Sequence, residues 1–379
     1  MLQVRDLHRF SAEPKNTVKV ADHSWSFEGM DRYKALVADF GLYLEDSERK
    51  FDDLERRLSF NVVHAESQSA AHEALVNWVG GDFTREVYHY IESIDAASRG
   101  APADYVPRMQ AYTQRHLEEF FLKAPWMHRA KFKPFGYPGD YEVMRFFYER
   151  PFEGVSLFAK ALNYATIRCR TPQAVCRRKD MVKRELKQLI ESRGESDQPL
   201  PILSVASGPA QELFELFSEA EGFEVPVDVV LFDQDKSALT YAYSRLKPIV
   251  EKRFSKQVRL RYLHDSIKRL LRDRQIFSEL GPFDGIFSCG LYDYLAPTTA
   301  VVLTKSLFAR LAPAGRLYVG NMVPENSARW AMEHLLDWHL IYRTRPELMA
   351  IGRRAAPDAT IRLLEEETGI NPFIEILRG

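Results

Sequence analysis

The sequence predicts an α/β protein: a helical domain first, then a mostly parallel, Rossmann-like sheet. Three observations lead there. From about Pro201 onward, apolar runs of strand length alternate with segments of helical periodicity. Each run ends in small or polar residues, and the carboxyl ends of its strands are where such a sheet gathers its ligand site. The first two hundred residues, by contrast, carry helical periodicity and little that reads as strand.

Periodic segments run from Arg32 to Leu58, Ser67 to Ala97, Asp104 to Leu122, Asp140 to Tyr148 and Gly154 to Arg168. A longer one spans Pro172 to Ser192, with Thr171 as N-cap, Pro172 in the first turn and Val175, Val182, Leu186 and Leu189 as its buried stripe. A polar linker, Glu195 to Pro201, follows. The expected organisation is therefore 1–30 without assigned structure, 31–195 a helical substrate or lid domain, and 196–379 a cofactor domain. Within the helical part, Lys131 to Glu142 packs two glycines, two prolines and two tyrosines into a short turn. So many rings suit a lid over a ligand, with Tyr137 and Tyr141 closing it; the plainer reading is a helix connection capped by Asp140.

The first strand, from Ile202, runs into Ala206-Ser207-Gly208-Pro209-Ala210 and then a helix burying Ala210, Leu213, Phe214 and Phe217. Side chains this small between two buried elements suit a turn that approaches a ligand closely, and Gly208 permits a positive φ there. Pro209 fits the first turn of the helix. A dinucleotide turn would show three glycines and a phosphate loop a Lys followed by Ser or Thr, and neither is present. The turn matches instead the small-x-Gly-x-small pattern of class I S-adenosylmethionine methyltransferases, with Ser204 where an acid usually opens it. Ala206, Ser207 and Gly208 are thus candidate cofactor contacts.

Later strands extend the pattern. Val227 to Phe232 ends in Asp233-Gln234-Asp235; Asp233 is placed to accept from both hydroxyls of a ribose, and Asp235 to cap the next helix. Val258 to Leu263 ends in His264-Asp265-Ser266, where Asp265 would lie beside an adenine amine. Phe283 to Ser288 leads into Cys289-Gly290-Leu291-Tyr292. A helix from about Thr298, a turn at Ala312 to Gly315 and a fifth strand, Leu317 to Val319, complete the series before Gly320-Asn321. Gln234, Ser266, Ser288 and Gly290 share these strand ends and join the candidate cofactor set.

Composition bounds the partners. A chain of 379 residues with 45% hydrophobic and 12% aromatic residues has room for roughly two cored domains. Net charge is −1, so no global field attracts nucleic acid. No signal segment and no apolar run of membrane length is read, which predicts a cytoplasmic protein. Three cysteines without ligand spacing suit a reducing compartment and no metal, with Cys289 a small packing residue.

Three separated blocks carry a closer resemblance: Lys133-Pro-Phe-Gly-Tyr-Pro-Gly-Asp-Tyr-Glu142; Ser207-Gly-Pro-Ala-Gln-Glu212 with Phe232-Asp-Gln-Asp-Lys-Ser-Ala-Leu239; and Ser288-Cys-Gly-Leu-Tyr-Asp-Tyr-Leu295 with Gly320-Asn321 and Met332 to Thr344. The chain resembles a group of bacterial methyltransferases that includes the enzymes making methyl esters of 3-hydroxy fatty acids as extracellular quorum signals. It departs from that group at Phe135, usually Arg, and at Ala206-Ser207, usually Gly-Cys. The resemblance implies the class I methyltransferase fold with a seven-stranded sheet, S-adenosylmethionine as cofactor, S-adenosylhomocysteine as product and an apolar acid as methyl acceptor.

A carboxylate acceptor is already ionised and needs only placement. Arg343 and Arg345 are candidate cations, with Tyr342 or His339 as donors and Tyr292 beside them. A hydroxyl or amine acceptor would need a base, for which His339 is the candidate. The segment Trp330 to Tyr342 is expected to be helical, bringing His339 and Tyr342, and Glu333 and Asp337, onto shared faces. Asn321 either orients substrate or caps the next helix. Backbone around Ala206 and Gly208 would take the cofactor's ammonium end, and Arg178 or Arg177 its carboxylate. Three further readings stay open: another small-molecule acceptor, a macromolecular acceptor, and a cofactor-binding regulator without turnover. A small-molecule partner and a homodimer are expected.

Overall fold

A computed structural model of the chain describes residues 27–60, 75–272 and 276–379. The expectations for residues 1–26 and for the start of the Ser67 segment lie outside the described residues. The chain forms two compact units, neither continuous in sequence: the sequence reading drew one boundary near residue 195. One unit takes the described residues up to Gly139, Arg145–Gln173 and Ser327–His339; the other takes Asp140–Met144, Ala174–Asn326 and Leu340–Gly379.

The first unit is helical. Helix α1 (Phe27–Phe60) sends Tyr33, Val37, Phe40, Leu44 and Phe51 inward at steps of three, four and seven, all fully buried. A π-helical turn, Trp78–Phe83, leads into α2 (Thr84–Ser98), followed by α3 (Val106–Phe121), α4 (Pro125–Phe132), α5 (Tyr141–Glu149), whose first four residues belong to the other unit, and α6 (Leu157–Thr166). Rings dominate the packing: Phe51 stacks on Trp78 at 4.0 Å and Phe40 on Tyr90 at 4.7 Å. A polar knot sits among them. The Tyr33 hydroxyl accepts from Trp330 Nε1 at 2.7 Å and bonds Thr113 Oγ1 at 2.5 Å and His334 Nδ1 at 3.0 Å. Burial, with His339 and Arg329 nearby, lowers the His334 pKa to about 4, so its imidazole is neutral at pH 7.

Helix α7 (Arg170–Ser192) starts two residues earlier than expected, with Thr171 and Pro172 inside its first turn. The sheet unit then alternates β1 (Leu200–Val205), α8 (Gln211–Glu219), β2 (Val227–Asp233), α9 (Lys236–Arg253), β3 (Val258–His264), α10 (Ile267–Arg272), β4 (Phe283–Ser288), α11 (Pro297–Phe308) and β5 (Leu311–Gly320). After α12 (Arg345–Ala355), β6 (Thr360–Leu364) and β7 (Phe373–Leu377) complete seven strands in the order β3-β2-β1-β4-β5-β7-β6. The first five strands pair in parallel, while β7 runs antiparallel to both β5 and β6. This is the α/β, Rossmann-like, largely parallel sheet that the sequence predicts. Strand order reverses between β1 and β4, the switch point where an open α/β sheet leaves a crevice.

Each face of the sheet has its own core. One gathers Leu186, Leu189, Leu213, Phe217 and Leu246 over Ile202 and Val229; the other gathers Leu303, Leu307, Leu348 and Ile351 over Leu203 and Ile286. No helix among the described residues is long and apolar enough to cross a membrane.

Four local expectations are corrected. Pro209 lies before the helix rather than in its first turn, because Ala210 is the N-cap in a left-handed conformation. The fifth strand begins at Leu311, not Leu317: its pairing jumps from Phe283↔Leu311 to Gly285↔Arg316, so the expected turn is a bulge within the strand. The strands β6 and β7 and helix α12 have no counterpart among the segments located from sequence. Finally, Trp330 to Tyr342 is not one helix. A π-helical turn covers only Ala331–Leu335, and Asp337 turns left-handed at φ 49°. Distant side chains end it: Lys131 Nζ donates to Leu335 O at 3.0 Å, Lys133 Nζ to Asp337 O at 2.8 Å, and Gln110 to the Asp337 carboxylate at 2.5 Å.

At Gly320, the last residue of β5, an added Cβ would lie 2.5 Å from the Phe373 ring and 2.9 Å from the Cys289 carbonyl. Gly320→Ala is therefore expected to cost about 1–3 kcal/mol, read from the urea midpoint. An unshifted midpoint would mean that this end of the sheet is not closely packed.

Candidate functional site

The turn after β1 is conformationally costly. Ala206, Gly208 and Ala210 all take positive φ, at 55°, 53° and 50°. For an alanine the left-handed region costs about 1–2 kcal/mol, and such strain persists only where the surroundings fix it. They do so here through hydrogen bonds. The Gly208 amide donates to Asp233 Oδ2 at 2.8 Å, the Ser207 amide and hydroxyl both donate to Phe232 O, and the Ala210 amide donates to Ser207 O at 3.0 Å. The other Asp233 oxygen accepts from the Asp235 amide at 2.8 Å. Burial raises the Asp233 pKa while the backbone amides oppose that shift.

A turn that cradles phosphate must offer free amides. Here the amides of Ser207, Gly208 and Ala210 are used internally, one of them by a carboxylate, and Pro209 has none. What the turn offers instead is space: nothing lies within 4 Å of where a Gly208 Cβ would sit. Nearby strand ends add polar groups. Ser288 Oγ, at the end of β4, is buried and makes no hydrogen bond among the described residues. Asp265 donates its amide to Asp233 O at 3.1 Å; its carboxylate accepts from the Ser266 amide and pairs with Arg269 at 2.5 Å. The Gln234 carbonyl lies 3.2 Å from His264 Nε2. Asp235 caps α9 through the Ser237 amide. The structure thus brings Ser207, Gly208, Asp233, Gln234, Asp265 and Ser266 together along one edge.

Arg178, on α7, is buried and reaches Asn371 Oδ1 at 2.7 Å and Asp293 Oδ2 at 3.9 Å. Its guanidinium lies against Gly290, where a Cβ would come within 3.0 Å of Nη2. Burial lifts the Asp293 pKa to about 6 against the pull of Arg178, the Met322 amide and Arg343. Glu212, in the first turn of α8, is also buried, and desolvation lifts its pKa to about 7. Sequence reasoning did not single out Glu212, Asp293 or Asn371. An acid flanking Leu213 on a buried helix start was a usable signal for Glu212; nothing local marks Asn371, 193 residues from its arginine.

The residues expected around the acceptor separate. The Arg343 guanidinium is buried and donates to Tyr292 O at 2.7 Å, to Leu295 O and to Asn321 Oδ1. Asn321 in turn donates to Met322 O and Ile341 O, so it ties loops together rather than capping a helix. Tyr292 is fully buried, its hydroxyl 2.9 Å from Thr304. Arg345 pairs with Glu365 and bonds Gly369 O. Tyr342 is half-buried in this same unit, whereas His339 is exposed in the helical one. Tyr141 belongs to the sheet unit and packs on Tyr241 at 5.4 Å, while Tyr137 belongs to the helical unit. Asp140 caps the helix between them, accepting from the Val143 amide. The helical unit encloses a cavity of about 30 Å³ walled by Trp126, Met127, Cys169, Met332, Leu336 and Trp338 among others.

No family model matches the chain, and no curated protein does. Among solved structures it is similar to a possible exported protein of Bordetella parapertussis, at 16% identity over 93% of this chain and 99% of that one, TM-score 0.46. It is also similar to the pyocyanin biosynthetic protein PhzM, at 14% identity over 82% of this chain and 99% of that one, TM-score 0.42. A third is the magnesium protoporphyrin IX methyltransferase of Synechocystis with bound S-adenosylhomocysteine, at 10% identity over 55% and 87%, TM-score 0.40. At this distance the functional reading rests on the chain's own geometry.

Asp233→Asn is expected to lose about 1–3 kcal/mol of stability, because its amide nitrogen must face one of two backbone donors. A urea midpoint equal to the parent's would mean that the turn is held by other contacts.

Proposed function

We propose that this chain is a methyltransferase that uses S-adenosylmethionine to methylate a small molecule. The observation that carries this reading is the bond between the Gly208 amide and the Asp233 carboxylate at the sheet's switch point. With the Ser207 and Ala210 bonds it commits the amides that a pyrophosphate or triphosphate would need free, so the turn suits a nucleoside without phosphate. The residues present fit that ligand. Open space fronts Gly208, Asp233 retains acceptor capacity for ribose hydroxyls, and Ser288 Oγ is a buried polar atom lacking a partner among the described residues. Asp265 and Ser266 provide polar groups for the base. Gly290 keeps the wall beside Arg178 low, and Arg178, already held by Asn371 and Asp293, is the cation proposed for the cofactor's carboxylate.

When bound, S-adenosylmethionine supplies an activated methyl group. The protein's task is then to hold a nucleophile in line with it and exclude water. The strained turn and its buried surroundings suit this, since neither must reorganise. On the acceptor side we favour carboxyl O-methylation of a hydroxy fatty acid or similar apolar acid, supported by the resemblance to the ester-forming group. One observation favours a second reading, an N- or O-methyl transfer to another small molecule. Arg343 is committed to three protein acceptors and Arg345 to two, so neither cation stands ready for a carboxylate. His339, which is exposed, is then the candidate base.

Two measurements test this. Asparagine tolerates a positive φ yet fills the space in front of residue 208, so Gly208→Asn is expected to keep the fold and lose at least about tenfold in S-adenosylhomocysteine affinity by calorimetry. Unchanged affinity would exclude the turn as the binding site. Incubation with labelled S-adenosylmethionine and a fractionated extract is expected to yield one labelled small product, identified by mass. With that acceptor, His339→Ala separates the chemistries: loss of a pH-dependent limb in kcat marks base catalysis, and a raised KM alone marks a positioned carboxylate.

A further inference from the structure

The helical unit holds a cavity of about 30 Å³ that the proposed chemistry does not use. Its wall is apolar throughout, set chiefly by Trp126, Met127, Phe147, Met332, Leu336 and Trp338. Polar groups at its edge are engaged elsewhere. Thr166 Oγ1 accepts from Trp126 Nε1 at 2.8 Å and donates to Leu162 O at 2.7 Å, and the Cys169 thiol lies 3.9 Å from Ala165 O. Water needs two or more polar partners to occupy such a space, so this one stays dry. A dry void forfeits contacts that close packing supplies, and methionines such as Met127 and Met332 are flexible enough to fill one. The wall nevertheless stands back, because bonds fix the segment that carries Met332, Leu336 and Trp338. The Trp330 amide donates to Asp95 at 3.0 Å, Lys131 Nζ to Leu335 O at 3.0 Å, Lys133 Nζ to Asp337 O at 2.8 Å, and the Trp338 amide to Met332 O at 2.8 Å. The Trp126 ring is held by its bond to Thr166 and by edge-to-face packing on Phe147 at 5.0 Å.

We infer that this cavity is a binding site for the unbranched end of an alkyl chain carried by a small molecule. An apolar wall with its polar neighbours already engaged recognises carbon and nothing else. Volume decides how much of it. A dry cavity of roughly 150 Å³ takes a benzene ring, whereas about 30 Å³ excludes a ring and accommodates roughly the last one or two carbons of a chain. A branch at that point adds a methyl group for which the fixed wall leaves no room. The indoles of Trp126 and Trp338 and the thioethers of Met127 and Met332 offer a chain end dense, polarizable contact. The cavity is partly open, so the remainder of the chain need not be buried with its end. All of its lining belongs to the helical unit, and the site requires neither cofactor nor methyl transfer.

Two isomeric alcohols, 1-octanol and 6-methyl-1-heptanol, test this on the full chain. They share headgroup and carbon count, so adsorption to apolar surface affects both alike and only the shape of the chain end differs. Calorimetry is expected to show 1-octanol binding at least about tenfold more tightly than its isomer, the scale on which an apolar pocket feels one misplaced carbon. Ala331→Leu, which fills the cavity from its wall, is expected to weaken 1-octanol about tenfold and to bring the two alcohols within about twofold of each other. Bromine is close to methyl in size, so 7-bromo-1-heptanol is expected to quench tryptophan fluorescence, with a smaller quenched fraction in Trp338→Phe. Absent octanol binding, equal affinities for the isomers, or a leucine variant that keeps the parent's preference would each overturn the inference and leave the cavity a packing void. Quenching that Trp338→Phe and Trp126→Phe both leave intact would place the alcohol elsewhere and overturn it equally. Should the leucine unfold the chain, the isomer ratio and the quenching still decide.

Discussion

The hydrogen bond from the Gly208 amide to Asp233 is the constraint on which the sheet unit's chemistry depends. It joins the turn after β1 to the last residue of β2, and with the Ser207 bonds to Phe232 it fixes a backbone that would otherwise relax. Two left-handed alanines are tolerated because the acceptor positions leave no alternative path. The same bond decides what the switch point can receive. With the amides of Ser207, Gly208 and Ala210 used, the turn has none of these donors left for a phosphate and leaves open space in front of Gly208. A Rossmann-like sheet is compatible with many ligands; this pairing narrows them.

A second clasp organises the loops beyond β4 and β5. Asp293 accepts from the Met322 amide through its side chain and from the Ile341 amide through its carbonyl. Arg343 spans Tyr292 O, Leu295 O and Asn321, while its own amide donates to Met322 O at 3.0 Å. This clasp lies within the third sequence block. Its acid, asparagine and arginine hold three loops to one another through buried, directional bonds, and lysine could not satisfy the same acceptors. The block also divides: residues 332–339 belong to the helical unit and residues 340–344 to the sheet unit, so a continuous stretch of sequence serves two frameworks.

The parallel strands were legible because burial on both faces writes them as unbroken apolar runs with polar ends. Val227 to Phe232 and Phe283 to Ser288 could be placed to within a residue. The antiparallel pair was not, since Thr360–Leu364 is short, alternates and is half exposed, and its partner lies at the end of the chain. The start of β5 was hidden by Pro313 and Gly315, residues that a bulge and a turn require alike. Trp330 to Tyr342 has a helical pattern and still breaks, because Gln110, Lys131 and Lys133 reach it from more than two hundred residues away. Local propensity carries no record of such partners. For the same reason the residue types around the turn were readable, whereas the commitment of Arg343 to three internal acceptors was not.

Electrostatics joins the two halves of the proposed site. Asp233, Glu212 and Asp293 are buried carboxyls whose pKa values burial raises, and the buried cations Lys179, Arg178 and Arg343 oppose that rise at Glu212 and Asp293. On the proposed reading, a ligand that arrives as a sulfonium with an ammonium adds positive charge beside these carboxyls. On the proposed reading, the sulfur loses its charge when the methyl group leaves, so the product satisfies the same carboxyls less well. In a poorly screened interior that difference is larger than it would be in water. Acids at the sheet's edge would thereby hold the methyl donor more strongly than its spent form, which favours exchange of one for the other after each transfer.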